Sequence, residues 1–370
     1  MVNDTKDKVA FPHSIQLDGL RCIAIVMVLV AHWAQWKIKT PFLATFPFSH
    51  GVTLFFVLSG FLITRILLVG RVGYESVSIK AVGLFKSFYI RRFLRIFPLY
   101  YLLIIVLFIA DYENARALFP WLVSYTTNIF QAVNKTYIGD FNHFWSLAAE
   151  EQFYLLWPLV MILAPKKKLM PFIITMIIAS VLFRIGVFYT SANWMAIVYS
   201  TPGCMHALGF GALAAYLFVH ERNRLERLAT QKKVILFTSI YLLAFMFCDS
   251  FGPYWYKDLF DEVAFAFVSM TAVSLAATKG FGAPLQLFLE NRWVVLTGRI
   301  SYGIYIFHLF IPSFTYWLLP QLGLEIQKGK FLFVIFFSIT WLAAWLSWKL
   351  IEEPINRLKN RVPYLRATGG

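Results

Sequence analysis

Arg21 and His32 are the first residues whose types and spacing suit chemistry, because both interrupt one apolar stretch near the start of the chain. At 100° per residue, an eleven-residue separation brings two helical side chains within about 20° of a common face, roughly 16 Å apart along the axis. A charge inside a membrane segment costs about 2.5–3.5 kcal/mol on insertion scales and persists mainly where function needs it. A guanidinium suits an anion, and an imidazole suits proton transfer.

A second polar group lies in Trp145-Ser146-Leu147-Ala148-Ala149-Glu150-Glu151-Gln152-Phe153-Tyr154. Two adjacent carboxylates in an apolar helix cannot both face lipid. Counted from the helix ends, Glu150 and His32 fall at similar depth, roughly 6–8 Å below one surface. A carboxylate that holds one imidazole nitrogen fixes its tautomer and prepares the other as a general base. The same pair also serves as a buried tie between helices, and depth alone supports both roles.

At the opposite end, Tyr89-Ile90-Arg91-Arg92-Phe93-Leu94-Arg95 places Arg91 and Arg95 on one helical face. Their planar forks suit phosphate oxygens, and equally suit anchoring at a membrane surface. Ser59-Gly60, inside Phe55–Phe61, permits close helix approach. His308, in Gly298–His308, reads as a structural or supporting residue.

These residues sit in a chain of 370 residues, 59% hydrophobic, 18% aromatic and 14% charged, with a mean hydropathy of +0.65. Soluble domains carry roughly 25% charged residues, so an ordinary soluble globule is excluded, as are disorder and fibrous repeats. Long unbroken apolar runs favour helices over a barrel, because a lipid-spanning backbone must satisfy its own hydrogen bonds. The fold class is an all-α integral membrane protein, a bundle of about ten transmembrane helices with both termini cytoplasmic.

The expected spans are 16–36, 51–70, 93–110, 145–164, 170–190, 204–219, 234–248, 262–278, 300–319 and 331–351. The apolar piece 117–130 is too short to span and is expected to be re-entrant or interfacial. Placed this way, the predicted cytoplasmic segments carry about three times as many Lys and Arg as the outer ones. That bias accounts for most of the net charge of +15 without any nucleic acid. Cys22, Cys204 and Cys248 lie in or beside apolar runs, which implies no disulfide framework. The whole of 1–370 is expected to be one membrane domain without a soluble extracytoplasmic part, its first span retained and not cleaved.

Taken in order, these motifs resemble the acyltransferase-three family of membrane-bound O-acyltransferases. The resemblance runs from Gln16 to about Asn356. It rests on Leu17-Asp18-Gly19-Leu20-Arg21 followed by His32, Phe55–Gly60, Arg91–Pro98, Trp145–Tyr154, Ile300–His308 and Glu352-Glu353-Pro354. It implies transfer of an acyl group, acetyl by expectation, from cytoplasmic acyl-CoA to a hydroxyl of an envelope carbohydrate or lipid-linked glycan. It also implies a multi-pass protein of the bacterial cytoplasmic membrane, in contact with lipids and using no metal.

By this resemblance His32 is catalytic, Arg21 is essential beside it, and Arg91, Arg92 and Arg95 lie near the coenzyme phosphates. Arg21 is also among the expected coenzyme-binding arginines, and the depth reading adds Glu150 as the group that orients His32. Ser59, Glu151, Tyr154, Tyr305 and His308 are expected to contact substrate or support those that do. One motif departs: Thr201-Pro202-Gly203-Cys204-Met205-His206 carries Cys204 and His206 where many relatives have Arg and Asp. The 16 Å between Arg21 and His32 is a candidate ruler for a pantetheine arm within one continuous passage. The rival reading is a transporter or proton-coupled glycan exporter that uses the same charges as a relay.

Overall fold

The structure is a computed structural model and describes residues 14–35, 46–77, 81–191, 193–251, 257–323 and 331–362. The tail beyond Arg361, apart from Val362, and the last residue of the first expected span therefore lie outside the described residues. The helices are α1 (Ile15–Leu29), α2 (Gly51–Val77), α3 (Ala81–Ala110), α4 (Ala115–Val123), α5 (Thr127–Asn134) and α6 (Phe144–Leu163). Then come α7 (Lys166–Ser191), α8 (Trp194–Tyr199), α9 (Thr201–His220), α10 (Arg222–Leu228), α11 (Gln231–Phe251) and α12 (Glu262–Ala277). The last are α13 (Leu285–Leu289), α14 (Arg292–Arg299), α15 (Ser301–Phe307), α16 (Phe310–Gln321), α17 (Phe331–Ser347) and α18 (Glu353–Arg357).

Among the described residues, eight helices are long and apolar enough to cross a membrane, or nine if the bent pair α15–α16 counts as one span. α6 has 20 residues, which at 1.5 Å each matches a bilayer core of about 30 Å. Its Glu150-Glu151-Gln152 triplet lowers its apolarity below that of the others. α3 begins at Ala81, a dozen residues before the expected 93, because an amphipathic basic segment continues the helix out of the apolar region. Leu84 and Phe88 bury its inner side.

Apolar side chains gain little from leaving lipid for protein, so close packing must hold the bundle together. α2 and α9 show how. A Cβ on Gly60 would overlap the Leu208 carbonyl oxygen, and one on Gly211 would overlap that of Val57. The small pair Ser59-Gly60 therefore permits the close approach that its composition predicts.

The segment expected at 117–130 forms two short helices, α4 and α5, joined through Ser124–Thr126. Side chains satisfy carbonyls around this turn. Tyr100 Oη donates to Leu122 O at 2.8 Å, Tyr101 Oη to Val123 O at 2.9 Å, and Gln152 Nε2 to Tyr125 O at 2.8 Å. Gln152 also bonds Asn128 and Thr201, tying the hairpin to the middle of α6 and to α9.

α15 and α16 meet at a 60° bend. Pro312 has no N–H to offer the carbonyl four residues back, and its ring crowds that carbonyl; the residue concerned is His308. Three carbonyls at the break are taken up by side chains. Trp33 Nε1 donates to His308 O at 3.0 Å, His308 Nδ1 to Tyr305 O at 2.6 Å, and His143 Nε2 to Ile306 O at 3.3 Å. The broken span thereby draws His308 and His143 together.

Candidate active site

Two cavities adjoin within the bundle, termed inner at the arginine-rich end and outer at the other. The inner one is lined by Arg21, Arg92, Arg95, Ser59, Glu150, Glu151, Tyr154, Ser301 and Tyr302, and encloses about 760 Å³ of empty space including its mouth. Arg21 is held by Asp18 at 3.1 Å, and Asp18 also meets Arg299 at 3.3 Å. Arg92 lies over the Tyr154 ring at 4.5 Å, and Arg95 is exposed. Ser59 Oγ donates to Glu150 Oε1 at 2.6 Å. Tyr302 Oη donates to Ile96 O at 2.7 Å and fastens α15 to α3. A groove on the bundle's side, lined by Phe93, Phe97, Tyr125 and Leu155, shares Arg92, Glu151 and Tyr154 with this cavity.

Lys359 stands close to the arginines beyond the last span. Burial, then Arg95, Arg92 and Arg91, push its ammonium down to about 6, against a smaller opposing effect of Glu352. So dense a cluster of cations calls for an anion.

The outer cavity contains His32, His143, His206, Asn142, Asp140, Glu262 and several aromatic rings, and encloses about 1720 Å³ including its mouth. His32 lies in a π-helical turn, Val30–Gln35, that follows α1. Such turns widen the helix and re-aim side chains, often at functional sites. His32 Nδ1 is 3.0 Å from Val28 O and 3.3 Å from His308 Nε2.

The tautomers follow from what each partner can do. A carbonyl only accepts, so neutral His308 carries its proton on Nδ1, facing Tyr305 O, and its Nε2 is an acceptor. His32 Nδ1 must then carry the proton shared between Val28 O and His308 Nε2. His32 Nε2 is left with a lone pair, as a base requires. His143 completes the cluster, with its ring 4.8 Å from that of His308. The three imidazoles form no metal-holding group among the described residues.

Val52, Phe56 and Tyr305 line both cavities and form the wall between them. Tyr305 is fixed in that wall, donating to His143 O at 3.0 Å and meeting Ser146 Oγ at 2.6 Å.

Three expectations need correction. Glu150 does not orient His32: its carboxylate accepts from Ser59 and lines the inner cavity, while His308 holds His32. Equal depth on two helices left the direction of each side chain open. Arg21 and His32 line different cavities, which adjoin at Val52, Phe56 and Tyr305, so the simple ruler along one helical face does not stand. Arg91 does not line the inner cavity; its Nη1 donates to Lys359 O at 2.8 Å and Val362 O at 3.0 Å, securing the C-terminal turn. The structure does bring Arg21, Arg92, Arg95, Ser59, Glu151, Tyr154 and Tyr305 to the inner cavity, with Tyr305 also facing His32.

Sequence reasoning missed Asp18, His143 and Lys359. Asp18 was legible as the i,i+3 partner of Arg21, and His143 as a histidine opening the Trp145 motif. Nothing local marked Lys359, whose role depends on the chain's return to α3. At the departing motif, His206 Nδ1 meets Gly203 O at 2.9 Å and Ser180 Oγ at 3.3 Å. Arg184 and Glu262 supply an ion pair there at 2.8 Å.

Fold and site together define a polytopic helical membrane protein with a basic cavity on one side and a histidine-bearing cavity on the other. The chain belongs to the acyltransferase-3 family: a family model described as an acyltransferase domain matches residues 14–351. It is 30% identical over 374 residues to the peptidoglycan O-acetyltransferase OatA of Listeria monocytogenes, covering 92% of this chain and 55% of that protein. It is 26% identical over 386 residues to the O-acetyltransferase OatA of Staphylococcus aureus, covering 96% of this chain and 60% of that protein. The chain thus spans little more than half the length of these relatives. No solved structure matches it significantly.

Proposed function

We propose that this chain is a membrane-embedded O-acetyltransferase that passes an acetyl group from acyl-CoA to a hydroxyl of an envelope carbohydrate. The observation that carries the reading is the imidazole relay, in which Val28 O and His308 Nε2 hold the His32 proton on Nδ1 and leave Nε2 as a base in the outer cavity. The names of the relatives supply the acetyl group and the glycan.

The coenzyme phosphates would meet Arg92, Arg95, Arg21 and Lys359, whose density suits a polyanion. The basic bias of the adjoining segments supports a cytoplasmic position for that end, in a bacterial cytoplasmic membrane. The thioester arm would then extend toward Phe56 and Tyr305. In the reaction, His32 Nε2 takes the proton of the acceptor hydroxyl as its oxygen attacks the thioester carbonyl. The carbon–sulfur bond breaks, the ester forms, and the departing thiolate receives the proton. General-base assistance of this kind is worth about 10²–10⁴-fold.

Purified protein given labelled acetyl-CoA and a glycan acceptor tests the reading. Wild type should form acetylated glycan and free coenzyme A, and His32→Ala should form neither while keeping its thermal transition. Full transfer by His32→Ala would refute the proposal. Movement of glycan across a vesicle membrane without acetylation would favour the transporter.

A further inference from the structure

The outer cavity has an aromatic wall that the acyl-transfer steps leave unused. Tyr137, Trp194, Tyr199, Trp145 and Phe56 all line it. Their rings form an unbroken series: Tyr137 to Trp194 at 5.9 Å, Trp194 to Tyr199 at 5.6 Å, Tyr199 to Trp145 at 4.6 Å and nearly parallel at 17°, and Trp145 to Phe56 at 5.9 Å. At the outer end Tyr137 and Trp194 are 49% and 42% exposed, whereas further in Tyr199 and Phe56 are buried and Trp145 is half-buried. The series thus runs from the open surface to the wall behind which the basic cavity begins.

Tryptophan and tyrosine are common at membrane surfaces, where they face lipid headgroups. This series instead lines a cavity and leads inward, and polar groups accompany it. Asn142 Nδ2 reaches Tyr199 Oη at 3.4 Å, while Asn142 Oδ1 and His206 Nε2 have no hydrogen-bond partner among the described residues. Glu262, paired with Arg184, and Asp140, which accepts from Tyr112 Oη at 2.6 Å, complete the polar side.

Flat apolar faces flanked by fixed hydrogen-bonding groups match one chemical class in particular. A pyranose ring has an apolar C–H face and a polar rim, so its face packs on an aromatic ring while its hydroxyls reach amide and carboxylate oxygens. A single sugar would occupy one ring. A series of rings at regular spacing suits linked sugars.

We propose that the series Tyr137–Trp194–Tyr199–Trp145 is a track for an oligosaccharide, which threads a chain of neutral pyranoses inward so that one hydroxyl arrives beside His32. This rests on the reading of the protein as a glycan acyltransferase and adds that the acceptor is an extended chain and not a single sugar. The track has no part in proton transfer, so its signature is dependence on chain length.

The test uses the full chain in nanodiscs and β-1,4-linked N-acetylglucosamine oligomers of increasing length. Tryptophan fluorescence without donor reads binding, and transfer from acetyl-CoA reads KM. In wild type, affinity should rise with each added sugar until the track is filled. Trp194→Ala should lower the ratio of monosaccharide to tetrasaccharide KM about tenfold, the equivalent of one aromatic stacking contact. Trp194→Phe should restore most of it, and Tyr137→Ala, at the exposed rim, gives a second reading if Trp194→Ala does not fold. Affinity independent of length in wild type would overturn the track, as would a Trp194→Ala ratio equal to wild type. Length-dependent fluorescence without any acetyl transfer would keep the track and sink the acyltransferase reading. Transfer that needs His32 but ignores length would do the reverse.

Discussion

His308 Nε2 lies 3.3 Å from His32 Nδ1, joining the broken span α15–α16 to the π-turn after α1. Pro312 breaks the span, the break lets His308 Nδ1 bond Tyr305 O, and that bond leaves His308 Nε2 as the acceptor that orients His32. A proline four residues from a histidine thus governs the protonation of a second histidine in a distant helix.

Replacing His308 should therefore damage catalysis more than binding. His308→Ala leaves the His32 proton with Val28 O alone and frees the ring to turn. We expect kcat to fall about 10²-fold and KM for the acyl donor to stay within about twofold. Steady-state kinetics at several pH values check this, and an unchanged kcat would remove His308 from the relay.

Glu150 should couple to Ser59 and not to His32. Thermal unfolding of Ser59→Ala, Glu150→Gln and the double variant should show an interaction energy of about 0.5–3 kcal/mol, as for residues in direct contact. The cycle pairing His32→Ala with Glu150→Gln should be additive within about 0.5 kcal/mol. Strong coupling in the second cycle would restore the carboxylate–imidazole pair.

The wall between the cavities should protect the donor from water. Phe56→Ala opens the wall at its largest apolar member, and Phe56→Leu does so at less cost to packing. Hydrolysis of acetyl-CoA without acceptor should rise severalfold in both, with less product per donor consumed. Hydrolysis at the wild-type rate would show that the ring excludes nothing.

Anion binding at the basic end should depend on pH through Lys359. With its ammonium pushed down to about 6 in the free protein, Lys359 is neutral at pH 7–8. A bound polyphosphate raises that value, so binding takes up a proton. The affinity added by Lys359 is full below pH 6 and falls as pH rises above it, by up to about tenfold per unit. Calorimetry with coenzyme A between pH 6 and 8 should show a steeper loss in wild type than in Lys359→Met. Identical profiles would exclude Lys359 from the anion site.

The class of fold, most span positions and the basic end were all legible in the sequence. Each depends on local quantities, such as the length of an apolar run, the position of Gly60, or a cluster of arginines four residues apart. Side-chain direction was not legible. Whether His32 faced Glu150 or His308 depended on a π-turn and a proline bend, which re-aim side chains. Lys359 joined the arginines, and Trp145 stacked on Tyr199, only because distant segments pack side by side. Partners across a helix bundle are decided by rotation and crossing, and no single helix carries that information in its own residues.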